Sequence, residues 1–414
     1  MAKFCWLVIG LMPILFGCED MVELEKQSYV VAVGIDKTDQ DGTYQFTYQI
    51  ANPEAGSSLA ANNADQAPSE IISIVGTDLM TTSSTANAFV TKQMVMDQTR
   101  VLIISEELAR TDQFLRVIQS VARSNQIRRG VKLVISKENA SQFMNNNDPA
   151  LEQRPHKYYQ YMLSRARETG LIPDADIHRF FQITEGDADL FLGIYATTIE
   201  DPKDVSGPED TIVAGEIPKH GGNSTQFMGA AVFKEGIMID VLTAEETRIA
   251  NILDKTMKMD ELLASYPDPV APEYNVAVKY IQKNEPKIEI NYDRVANHAA
   301  IQVIIPFEAE IIAIPSLINY SQVDSYKERL KKSIESYAEH VTRQFIKKTQ
   351  EFYRAEPFYW SLYIRKFFKD IPDFEEADWN KQIYPNADIT VYYQMKRMHF
   401  GKMLDDTHLN EVRD

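Results

Sequence analysis

The side chains best suited to acid-base or metal chemistry are the seven histidines, His156, His178, His220, His298, His340, His399 and His408, and their spacing serves neither purpose. No HExxH occurs and no pair of histidines has helical ligand spacing, so they read as surface or hydrogen-bonded core residues. The adjacent carboxylates Glu245-Glu246, Glu375-Glu376 and Asp405-Asp406 could trade protons, but acidic residues opening a helix or lying in a solvated tail account for them more simply. A GxSxG turn, a Walker A loop and a GxGxxG turn are absent, and Gly221-Gly222 lacks the strand-to-helix setting that cradles a phosphate. An EF-hand built on Asp41-Gly42 would need carboxylates where Lys37 and Tyr48 stand, so the calcium-loop pattern fails. The expectation is no catalytic residue, no metal site, no cofactor and hence no enzyme. The densest unusual composition is Phe358-Tyr359-Trp360, Tyr363 and Phe367-Phe368, interleaved with Arg365, Lys366 and Lys369. It reads as a helix over 358–368 docked on the helix before it. Aromatic and Arg side chains are also frequent interface anchors, which makes Phe358, Trp360 and Arg365 candidate contacts for a protein partner.

The remaining reactive group is a thiol. Cys5 and Cys18 are the only cysteines, so everything past residue 18 is without disulfides, thiolate nucleophiles and cysteine metal sites. Met1-Ala-Lys3 gives a positive start, and Phe4 to Phe16 is an uncharged, mostly apolar stretch, too short for a bilayer core that needs about 20 residues but suited to a signal peptide. Leu15-Phe16-Gly17-Cys18 resembles a bacterial lipobox, in which a small residue precedes the cysteine that accepts the lipid and becomes the mature N-terminus. Cys18 is therefore the expected lipid attachment site, and the lipid bilayer a partner through acylated Cys18. Ala300 to Ile318 is the most apolar later run, but Gln302, Pro306, Glu308, Glu310 and Pro315 interrupt it, so no span is expected there. The formal charge of −17, from 43 basic and 60 acidic residues, repels phosphate backbones, and no nucleic-acid role is expected.

These residues must be positioned by elements that the patterning describes. Tyr29 to Asp36 and Thr43 to Ala51 are β-rich runs joined through Asp41-Gly42, a hairpin signal. Asn52 to Pro68 reads as a loop, and strands and helices then alternate to Thr197 in the manner of a layered α/β unit. Asp201 to Asn223, with three prolines and four glycines, reads as a linker or long loop. Met228 to Leu242 forms a second expected hairpin, and Thr243-Ala-Glu-Glu246 is a capping-box start for a helix running to Asp254. Tyr266 to Pro272 breaks the chain, and extended runs follow to Ile314. Val323, Tyr326, Leu330, Ile334, Tyr337, Val341 and Phe345 recur every three or four residues, which predicts one long amphipathic helix over Ser321 to Tyr353. The expected organisation is a signal peptide at 1–17, a lipidated tether at 18–28, an N-terminal α/β domain at 29–200, a linker at 201–227, a sheet-rich middle domain at 228–298, a C-terminal domain with the long helix at 299–401, and an acidic tail at 402–414. The fold class is α/β (α+β mixed), three domains with mixed sheets flanked by helices.

Taken in order, these segments resemble the Ger(x)C-type lipoproteins, the C subunits of bacterial spore nutrient germinant receptors. The resemblance runs from the lipobox and Val30-Val-Ala-Val-Gly-Ile-Asp36 through Arg100 to Arg110 and Ile127 to Ile135. It continues through Gly229 to Thr247 and ends on Trp379 with Tyr384-Pro-Asn-Ala-Asp-Ile-Thr-Val391. Glu356-Pro-Phe-Tyr-Trp-Ser361 departs from the family's Asp-Pro followed by glycines, and Lys396 to Gly401 departs from its usual ending. The resemblance implies a three-domain lipoprotein on the outer face of the inner spore membrane. It also implies two membrane-embedded receptor subunits as partners in nutrient-triggered germination, with no tight small-molecule ligand expected on this chain alone. The competing readings are a solute-binding lipoprotein of a transporter and a lipid-anchored cell-wall hydrolase; the first would show two similar lobes and a hinge, the second a placed carboxylate pair or metal set.

Overall fold

The computed structural model describes residue 23 and residues 26–52, 67–186, 190–204, 208–254 and 262–401. The expected signal peptide, Cys18, most of the 52–68 loop, Asp405-Asp406, His408 and the acidic tail lie outside the described residues. A nine-stranded mixed sheet is built from β1 (Gln27–Lys37), β2 (Tyr44–Ala51), β3 (Ser69–Gly76), β4 (Gln93–Val95), β5 (Val101–Ser105), β6 (Lys132–Ser136), β7 (Phe191–Thr197), β8 (Gln226–Lys234) and β9 (Ile237–Leu242). Its spatial order is β3-β2-β1-β5-β6-β7-β8-β9, with β4 beside the start of β1. The middle strands β1, β5, β6 and β7 are parallel, and their sequences are unbroken apolar runs such as Val-Leu-Ile-Ile because helices cover both faces. The outer hairpins are antiparallel, and the Asp41-Gly42 turn joins β1 to β2 with Gly42 at φ 78, a conformation glycine takes without steric cost.

A second sheet contains β10 (Leu262–Pro267), β11 (Asn275–Ile281), β12 (Lys287–Asp293), β13 (His298–Ala313) and β14 (Asp388–His399). The sixteen-residue β13 is its spine: β12 pairs with the first half of one edge, β11 with the second half, and β14 runs parallel along the other edge. Here apolar and polar residues alternate, since one face alone is buried. That face is covered by the helix Asp324–Lys348, whose buried stripe is Leu330, Ile334, Ala338, Thr342, Phe345 and Ile346. The helix ends in a wider turn at Thr349–Tyr353 and a left-handed Arg354. Tyr266 to Pro272, read as a break, contributes its first two residues to β10, because Leu262–Pro267 finds a pairing edge in β11.

Two cores result, and β7, β8 and β9 contribute side chains to both. Ala231 and Phe233 of β8 point into the first core, whereas Ala230 and Val232 point into the second. Residues 228–242, expected to open a middle domain, therefore complete the first sheet, with β8 pairing on β7 across the expected linker. The helix Ala244–Leu253 starts with the capping box that the sequence announces, Thr243 Oγ1 accepting from Glu246 N–H and the Glu246 side chain from Thr243 N–H. Its Ile249, Ile252 and Leu253 fill the second core.

Candidate functional site

The segment 354–365 is where the two cores meet. The backbone N–H of Leu190 donates to Glu356 O at 3.0 Å, and the fully buried Glu356 carboxylate accepts from Phe358 N–H at 2.5 Å and from Ser361 N–H at 3.0 Å. This knot replaces the helix expected over 358–368 by a turn, one short helix at Ser361–Ile364 and a tight turn at Arg365–Phe367. Tyr359 sits in the left-handed region at φ 60, where glycine is at ease and a tyrosine costs about 1 kcal/mol. The turn sends Tyr359 into the first core under the Arg179 guanidinium, 4.6 Å from the ring centre, and leaves Phe358 and Trp360 in the second.

Phe358 and Trp360 are both 0% exposed, their rings 4.8 Å apart and Phe358 also against Phe345 of the long helix. Neither can meet a partner from that position. The expectation is corrected for a plain reason: large apolar rings beside a long helix are worth more in a core than in water. Arg365 is exposed, donates to Gly186 O at 3.3 Å and lies over the Phe374 ring. With Phe368, Lys369, Ile371 and Glu185 it lines a surface groove of about 410 Å³, in which Ile371 is 72% exposed.

A second cluster fastens the long helix to the first sheet. Lys348 Nζ lies 2.9 Å from Glu246 and 3.5 Å from Asp240, Tyr353 Oη donates to Asp240, and Lys234 Nζ donates to Tyr353 O. Beside it Arg248 pairs with Asp210 in the interior and Tyr337 Oη donates to Glu245 at 3.2 Å, around a cavity of about 50 Å³ rimmed by Tyr266, Tyr280 and Tyr393. Burial, and then the charge of Asp210, push the Glu245 carboxyl up to about 7. Folding therefore binds a proton at this site that the unfolded chain, with a carboxyl near 4.5, has released. Stability from Glu245 is present below about pH 4.5 and is lost as pH rises to about 7. Melting temperatures from pH 5 to 8 are expected to fall more for wild type than for Glu245→Gln, a difference on the order of 2 kcal/mol. Parallel curves would refute the assignment.

The carboxyl ends of the parallel strands, where open α/β sheets usually receive ligands, are occupied by the chain itself. Both Asp36 oxygens accept backbone N–H groups, from Ala140 and Ser141, and both Glu138 oxygens accept from Thr197 and Thr198. Burial holds the Asp36 carboxyl above its usual range despite those bonds. Among the described residues no three His, Cys, Asp or Glu side chains gather as a metal site, and no helix is long and apolar enough to cross a membrane. Sequence reasoning missed Glu356, Glu245 and Arg248 as paired interior groups, since no local pattern marks a buried charge.

This geometry defines a class: a two-sheet α+β protein whose buried polar groups join its own halves. Two family models match it in succession, the spore germination protein N-terminal domain over residues 20–197 and the spore germination B3/GerAC-like C-terminal domain over 228–401. The chain belongs to the Ger(x)C family of spore germination proteins. It is 21% identical over 396 residues to "Spore germination protein B3" of Bacillus subtilis (strain 168), covering 94% of this chain and 95% of that one. It is 28% identical over 125 residues to "Spore germination protein KC" of the same organism, 30% of each chain. The crystal structure of the GerBC protein is similar at a TM-score of 0.47 and 16% identity, over 88% of this chain and 96% of that one.

Proposed function

We propose that the chain is the lipid-anchored, non-enzymatic subunit of a spore nutrient germinant receptor, held on the outer face of the cytoplasmic (inner spore) membrane and acting with two membrane-embedded subunits. The observation that carries this reading is the ordered pair of family matches, supported by a spore germination relative aligned along 94% of the chain. Residues 1–17 serve as signal peptide, and Cys18 takes the lipid. Contact with partners falls to the Arg365 groove, since Phe358 and Trp360 are used as core. The solute-binding alternative finds less support, because the nine-stranded and five-stranded sheets are not two similar lobes about a hinge.

Purification of the full chain from spore membranes is expected to bring down multi-pass membrane proteins, and deletion of its gene to abolish the nutrient response. Cys18→Ser should abolish lipid labelling, and Cys5→Ser should not. Recovery of the chain alone with normal germination in the deletion would sink the proposal. Tight calorimetric binding of an amino acid or sugar to the chain from Glu19 to Asp414 would favour the solute-binding reading.

A further inference from the structure

The −17 charge of the chain is unevenly placed. Arg100 and Lys132 stand where β5 and β6 begin, at the same edge of the sheet as the start of β1. Two cavities open there and share Arg100. One, of about 280 Å³, is lined by Lys132, Gly130 and Arg167 with apolar Leu163 and Ile172; the other, of about 230 Å³, by Tyr29, Arg154 and His156. Three of the acidic groups nearby are matched, Asp174 with Lys132 and Arg167, Asp176 with Lys132, and Glu152 with Arg154. Asp97 and Glu70, close in the chain to Gln98 and Pro68 of the smaller cavity, are in no ion pair among the described residues. Arg100, Arg128, Arg129 and Lys157 make no ion pair among the described residues, the two arginines at 128 and 129 adjoining the Gly130 wall of the larger cavity. Burial and the charges of Lys157, Arg154 and Arg100 hold His156 below its ordinary range, a sign of the local positive potential. Two apolar groups accompany this edge, Leu151, fully exposed three residues before Arg154, and Tyr161, 55% exposed on the helix Pro155–Glu168.

We infer that this strand-starting edge is a docking surface for an anionic phospholipid bilayer, which it meets with Arg100, Arg128, Arg129 and Lys157 and with the side chains of Leu151 and Tyr161. The inference rests on the anchoring at Cys18 proposed above. Gln27, the first residue of β1, follows Cys18 by nine positions, so at roughly 3.5 Å per residue it stays within about 30 Å of the acylated cysteine, and Val31, whose carbonyl takes the Arg100 N–H, within about 45 Å. An otherwise acidic protein on so short a leash is repelled by an anionic leaflet everywhere except at such a patch, because the field decays within about 10 Å. The edge would then lie flat on the headgroups and fix which faces of the two sheets are presented to neighbouring membrane proteins.

The test uses the chain from Glu19 to Asp414, which contains every described residue and lacks the thiol, so its outcome is independent of acylation at Cys18. Vesicles of 30% phosphatidylglycerol in phosphatidylcholine are expected to bind it at least tenfold better than pure phosphatidylcholine in 0.1 M salt, and the difference should collapse in 0.5 M salt. Arg100→Glu, Arg128→Glu, Arg129→Glu and Lys157→Glu combined should lose that tenfold with an unchanged melting temperature. Lys287→Glu, Lys332→Glu, Lys347→Glu and Lys381→Glu combined, exposed positions with the same change in net charge, should retain it. Equal binding to both vesicles, no binding to either, or equal loss in the two quadruple variants would overturn the inference. Failure of Cys18 labelling with intact vesicle binding would instead remove the anchor and leave the surface.

Discussion

Ile334→Asp is expected to cost roughly 4 kcal/mol and to melt the C-terminal half of the protein. Ile334 is 0% exposed at the middle of the stripe that faces the second sheet, between Leu330 and Ala338. The inward face of β14 opposite it carries Val391, Tyr393 and Met395, all buried, so an introduced carboxylate finds no cation and little water. Lys331→Asp, three residues earlier and partly exposed, also changes charge on the same helix but leaves the stripe intact. It should cost about 1 kcal/mol at most, mainly through repulsion with Glu335, whose carboxyl Lys331 helps to keep ionised. Denaturant unfolding followed by far-UV circular dichroism separates the two, and equal midpoints would show that the helix is not buried along this stripe.

The second large effect is expected at Trp360. Trp360→Ala removes a 0% exposed indole packed on Phe358, for about 3–5 kcal/mol of lost burial and residual cavity. No hydrogen bond is lost with it, since the indole Nε1 is buried without a partner among the described residues. Arg365→Glu lies five residues away and is expected to cost under about 1 kcal/mol, because its bond to Gly186 O and its contact with the Phe374 ring are both at the surface. The pair thus separates stability from contact: a fall in germination with Arg365→Glu at a wild-type melting temperature would support the groove as a partner surface. A wild-type melting temperature in Trp360→Ala would refute the packing of this segment.

Features set by neighbours in the chain are legible in the amino-acid sequence alone. The Asp41-Gly42 hairpin, the Thr243 and Glu246 capping box, the buried parallel strands and the stripe from Leu330 to Phe345 each depend on spacing over a few residues, and each stands in the fold. The order of such segments also carries the family resemblance. What spacing does not contain is which residues meet across the fold. The aromatic run at 358–368 has the composition of a helix or of a contact surface, and residues distant in the chain decide between them. Glu356 takes the N–H groups of Phe358 and Ser361, Leu190 donates to Glu356 O, and Arg179 covers Tyr359, so consecutive residues are dealt to different cores. The same holds for β8, whose alternation marks two buried faces but not that they belong to two cores. The raised carboxyl of Glu245 is of this kind as well, because a pKa records the distance of charges and the loss of water around them. Local periodicity is a property of the chain, whereas burial, charge pairing and the placement of Arg100 beside Arg167 arise only when strands distant in sequence are laid side by side.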